Sequence, residues 1–172
     1  MKLTITSLLF LITITFSNAQ EFKTPVDYLN YIGKETDAIS RTTWKYTSAV
    51  AHSKNARRID VTRKTLVKSI QNATKKIEAL KDGYKGDVEY KEQLLAYLSI
   101  SEKQINQEYE KIINMQEVAE QSYDFMEAFI LARDLVNAKI NEEVNKLNAN
   151  QKIFANKYGI QIGEDKSELG KK

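Results

Sequence analysis

The chain has a single histidine, His52, and no cysteine, and these two counts bound most of the chemistry open to it. Thiolate metal sites, thiol catalysis, disulfides and covalent haem attachment all need cysteine. Carboxylate di-metal bundles need two Glu-x-x-His pairs on facing helices, and the residue three before His52 is Ala49. No Gly-rich phosphate loop, Ser/His/Asp order or zinc spacing is present. The expectation is no cofactor, no metal and no recognisable catalytic apparatus.

What remains is a set of carboxylates and aromatics. Glu120, Glu127 and Asp134 recur every seven residues and so share one helix edge, with Asp124 nearby. Paired carboxylates can exchange protons or hold a hard cation. Their plainer use is in ion pairs between helices: if His52 faces about residue 117, Asp124 lies near Lys45 and Glu127 near Arg41. Both uses bring Trp44, Tyr46, His52, Tyr123, Asp124 and Glu127 to one end of a bundle, the place to look for a ligand pocket. His52 has a plain role too, since an imidazolium at a helix C-terminus interacts favourably with the helix dipole.

A second candidate is basic. Residues 54–85 hold ten Lys and Arg against Asp60, Glu78 and Asp82. Arg57, Arg58, Arg63, Lys64 and Lys68 could form an anion-binding face for phosphate, an acidic polysaccharide or membrane headgroups. The competing reading is structural. Residues 86–121 carry three lysines against eight acids, so an antiparallel partner helix can meet much of the charge. Such flanking pairs contribute about 0 to 1 kcal/mol each, yet they help set which helix lies beside which. The net charge of the whole chain, +3, gives no argument for nucleic acid.

The elements that must position these residues are helices. One proline and six glycines in 172 residues leave little for a turn-rich sheet. Thr24 reads as an N-cap, with Pro25 at the first helical position and Asp27 favourable to the dipole. Helix 1 then runs to about His52 with a seam of Leu29, Ile32, Thr36, Ile39, Thr43, Tyr46 and Val50. Tyr28 and Tyr31 flank that seam and are expected to be partly exposed as a contact surface. Ser53-Lys54-Asn55 is a short turn. Helix 2 spans about Ala56 to Lys81 on a stripe of Leu66, Ile70, Ala73, Ile77 and Leu80. Asp82-Gly83-Tyr84-Lys85-Gly86 is a loop, and Asp87 can cap helix 3. Asn114 and Glu117 have capping-box spacing, which puts a turn near residues 113 to 116. Helix 4 follows, carrying Val118, Phe125, Phe129, Ala132, Val136, Ile140, Val144, Leu147, Phe154 and Tyr158 over about 60 Å. Gly159 stops it. Short turns between long amphipathic helices predict an all-α, antiparallel, up-down-up-down four-helix bundle, with a bent three-helix coil as the alternative.

The two ends of the chain read differently from its body. Lys2, the apolar run Leu3 to Phe16 and Ser17-Asn18-Ala19 have the form of a signal peptide over residues 1–19, leaving a bundle over 20–158 and a mobile polar tail over 159–172. The apolar run is short for a membrane span, and without cysteine there is no lipid anchor, so neither a transmembrane nor a lipid attachment is expected.

The stretches Trp44-Lys45-Tyr46-Thr47-Ser48-Ala49-Val50-Ala51-His52-Ser53 and Tyr123-Asp124-Phe125-Met126-Glu127-Ala128-Phe129 resemble segments of an uncharacterised family of exported bacterial helical surface proteins. The resemblance covers most of the mature chain and implies export; that family has no assigned activity, so no site residue follows from it. The Ser17-Asn18-Ala19-Gln20 cleavage region is similar to signals of Gram-negative bacteria, which favours the periplasm over the medium, with the cell surface left open. The functional expectation is a non-enzymatic bundle that binds a protein partner or envelope component, as a chaperone or an adaptor. The alternative is a small-ligand or cation binder using His52, Asp124 and Glu127, and an unrecognised hydrolase stands third. Nothing in the residues fixes the oligomeric state.

Overall fold

The computed structural model describes residues 22–52, 56–108 and 123–162. Within them lie four helices: α1 (Pro25–His52), α2 (Ala56–Glu78), α3 (Glu89–Lys103) and α4 (Tyr123–Lys157), with a π-helical turn, Gln104–Glu108, continuing α3. They form an all-α four-helix bundle in which α1 packs along α2, α2 against α3, and α3 against α4. No helix among the described residues is long and apolar enough to cross a membrane. The expected signal segment, the Ser53–Asn55 turn, the turn near 113 to 116 and the tail from 163 lie outside the described residues.

Local rules set the helix ends. Thr24 and Asp27 form a reciprocal cap: each backbone amide donates to the other's side-chain oxygen at 3.1 Å. At the far end of α4, Gly159 takes φ 65°. The Ile160 amide then reaches back to the Ala155 carbonyl at 2.8 Å and the Gly159 amide to Asn156 at 3.3 Å, the double bond of a glycine-terminated helix. Helix 2 ends at Glu78, three residues earlier than the stripe suggests, because the chain turns at Leu80–Tyr84. Gly83 cannot be replaced there: a Cβ would sit 2.0 Å from the Asp87 carbonyl oxygen. Asp87 is not the N-cap of α3. That position is Val88, yet the Asp87 carboxylate still accepts from the backbone of Glu89, the first residue of α3, besides taking Lys157 Nζ at 2.8 Å and the Tyr158 hydroxyl at 3.1 Å.

The α2 seam keeps a strict alternation of four and three: Ile59, Arg63, Leu66, Ile70, Ala73, Ile77 and Leu80 are all buried. The α1 seam runs through Tyr28, Ile32, Ile39, Tyr46 and Ala49. Three of these match the expected row; Leu29 and Val50 are partly buried against the core beside the buried Tyr28 and Ala49, and Thr43 is exposed. Ring packing sets the place of Tyr28. Tyr28 is 0 % exposed and meets Phe22, Tyr84 and Phe154 at centroid distances of 5.2, 5.9 and 5.4 Å, contacts that add about 0.5 to 1.5 kcal/mol each beyond burial. Tyr28 is therefore a core centre and not a contact surface. Tyr84, Tyr90, Phe154 and Tyr158 complete the cluster and close this end of the bundle.

Candidate functional site

The opposite end is built from the C-terminal part of α1, the N-terminal part of α2, the π turn and the N-terminal part of α4. Counting equal rises per residue back from Tyr28 on Phe154, His52 comes level with about Ile130, not residue 117. The pairing of Glu127 with Arg41 fails accordingly. Arg41 closes on Asp37 within its own helix.

Five of the six residues expected to gather at this end are exposed. Trp44 keeps 73 % of its surface in solvent and Tyr123 84 %; His52, Asp124 and Glu127 are exposed as well. Tyr46 is buried in the α1 seam. Among the described residues, His52, Asp124 and Glu127 make no hydrogen bond or ion pair, and no three His, Cys, Asp or Glu side chains are grouped to hold a metal ion. Four apolar residues join Trp44 and Tyr123 as exposed side chains: Val61, Ile130, Leu131 at 63 % and Leu135 at 62 %. Sequence reasoning missed them. The signal was present, since Leu131 and Leu135 fall off the stripe of Ala132, Val136 and Ile140 and so had no assigned partner.

Beneath this surface lies a polar layer. Arg63 occupies a seam position on α2 and is 2 % exposed, so an ionised guanidinium stands where a leucine would pack. Its Nη2 and Nε reach Asp60 Oδ1 at 2.7 and 3.2 Å, while Nη1 donates to the carbonyl and side-chain oxygens of Asn106 at 3.1 and 3.0 Å. Asn106 lies in the π turn, so the buried charge fixes α2 to α3 where α3 departs from regular geometry. A buried charge held this way adds little net stability but is costly to break. Lys64 also reaches Asp60, at 2.7 Å. Hydrogen bonding from Lys64, then from Arg63, outweighs desolvation and holds the Asp60 carboxyl below its ordinary range. Nearby, the Ser101 hydroxyl and the Gln104 amide oxygen are buried without a hydrogen-bond partner among the described residues.

The basic candidates divide. Arg63 is internal. Arg57, Arg58, Lys64 and Lys68 are exposed on α2, and of these Lys64 is paired with Asp60. The α2–α3 contact uses hydrogen bonds, Arg63 to Asn106 and Gln71 Nε2 to Glu102 at 2.7 Å, while Lys76 pairs with Glu35 of α1.

Among the described residues this end presents exposed aromatic, aliphatic and ionisable side chains, with the buried Arg63 held by Asp60 and Asn106 in the interior. No protein-family model, curated protein or solved structure matches this chain.

Proposed function

We propose that the chain is an exported, non-enzymatic helical-bundle protein that binds a protein partner of the cell envelope through the end bearing Trp44 and Tyr123. The observation that carries this reading is that Trp44, Tyr123, Leu131 and Leu135, on the elements that form this end, are the four most exposed large apolar or aromatic side chains among the described residues, each above 60 %, against 55 % for Ile153 near the other end. Large apolar side chains left this exposed favour association, and a tryptophan or tyrosine is the residue type that most often anchors it. Export rests on the N-terminal pattern of Lys2, an apolar run and Ser17-Asn18-Ala19.

The test places a photo-reactive side chain at position 44, and separately at the exposed Ile153 near the other end, in the full chain expressed in a Gram-negative host. The expected result is processing after Ala19 and an adduct with one defined envelope protein from position 44 only. That adduct should disappear when Leu131 and Leu135 are both changed to Gln. Equal adducts from 44 and 153, or an unprocessed protein retained in the cytoplasm, would overturn the reading.

A further inference from the structure

The outer face of α2 has a regularity that neither the bundle nor the apolar end requires. At 3.6 residues per turn, Arg57, Lys64, Lys68 and Lys75 fall within about 40° of arc, directly opposite the buried row of Leu66, Ala73 and Ile77. All four are exposed. They form a straight row that extends about 27 Å along the helix axis at 1.5 Å per residue. The acids of α2 meet one of the four, Lys64. There are two, Asp60 and Glu78, both off the row, and Asp60 is engaged by Arg63 and Lys64. Arg57, Lys68 and Lys75 make no ion pair among the described residues.

From this geometry we infer that the outer face of α2 binds a linear acidic polysaccharide lying along the helix. A row of separated cations suits an extended chain of repeating carboxylates, which meets several of them at once, better than a single small anion, which meets one. No aromatic side chain stands in the row to stack on bases, as single-stranded nucleic acid binding uses. Val61 is the one large exposed apolar residue beside it, too little to enter a lipid interface. This surface is distinct from the one proposed for the protein partner, and the two stand or fall separately.

The experiment titrates the purified chain against fluorescently labelled polygalacturonate at about 50 mM salt, where the Debye length exceeds 10 Å. Saturable binding is expected, weakening steeply as salt rises, with inorganic phosphate at equal charge concentration failing to compete. Changing Lys68→Glu and Lys75→Glu together should weaken binding about tenfold or more, as expected for reversed charges facing a polyanion. The same charge change on α4, Lys139→Glu with Lys152→Glu, should weaken it less than about threefold by long-range repulsion alone. Both pairs are exposed, so circular dichroism should be unchanged. Absence of saturable binding, or equal losses in the two double variants, would overturn the inference. Tighter binding to single-stranded DNA or to anionic lipid vesicles, with the same dependence on Lys68 and Lys75, would overturn the polysaccharide assignment.

Discussion

The two ends of this bundle use the same residue types for opposite purposes. At one end Phe22, Tyr28, Tyr84, Tyr90 and Phe154 are buried against one another, and Asp87 ties the loop before α3 to the last turn of α4. At the other, Trp44 and Tyr123 stand in solvent. The difference lies in what each helix finds opposite it. Near Tyr28 all four helices and a glycine-shaped loop converge, so every ring has neighbours; at the other end Arg63 and its polar partners interrupt the seam, and Trp44, Leu131 and Leu135 on the outer faces stay exposed. A hydrophobic residue type thus says little about stability until its position on the seam is known.

Truncation breaks the comparison most directly. Tyr28→Ala should lower the free energy of unfolding by about 3 to 5 kcal/mol, the cost of removing a large buried aromatic, whereas Trp44→Ala should change it by no more than about 0.5 kcal/mol. Urea unfolding followed by circular dichroism gives both values. Equal effects would mean that the two ends are packed alike.

Much of this contrast was legible in the sequence, and the parts that were not share a cause. The cap at Thr24 and Asp27, the α2 stripe and the stop at Gly159 are set by neighbours in the chain, and residue type and spacing suffice for them. The place of Tyr28 depended on rings from Tyr84 and Phe154, more than fifty residues away, and a helical period with apolar residues at both 28 and 29 does not choose between them. Arg63 was read as part of an exposed basic run because charge is visible in a sequence and a seam position held by a distant carbonyl is not. The six residues expected at one end do lie on the elements that form it, five of them exposed and Tyr46 in the seam. Leu131 and Leu135 were left over by the α4 stripe, and leftovers of that kind mark a surface.

A smaller effect should come from Asp87. Burial pulls its pKa upward, but hydrogen bonds from Lys157 and Tyr158 prevail and hold it below the ordinary carboxylate value. A folded-state pKa below the unfolded one contributes stability that is fully present above the unfolded value, about 3.9, and is lost as the pH falls through the folded one. Lys157 is half exposed, so solvent screening limits the contribution to about 1 kcal/mol. Asp87→Asn should therefore cost that much at pH 7 and almost nothing at pH 2, measured by thermal unfolding across that range. A constant difference at all pH values would remove the charge from the explanation and leave only the loop geometry.

Native-state hydrogen exchange resolved by residue compares the two ends within one molecule. Amides of α1 around Ile32 and of α4 around Phe154 should exchange only through global unfolding, while those around Val50 and Leu131 should exchange through local opening, about a hundredfold faster or more. Uniform protection along α1 and α4 would contradict the division into a packed end and an open one, and with it the assignment of the Trp44 end to partner binding.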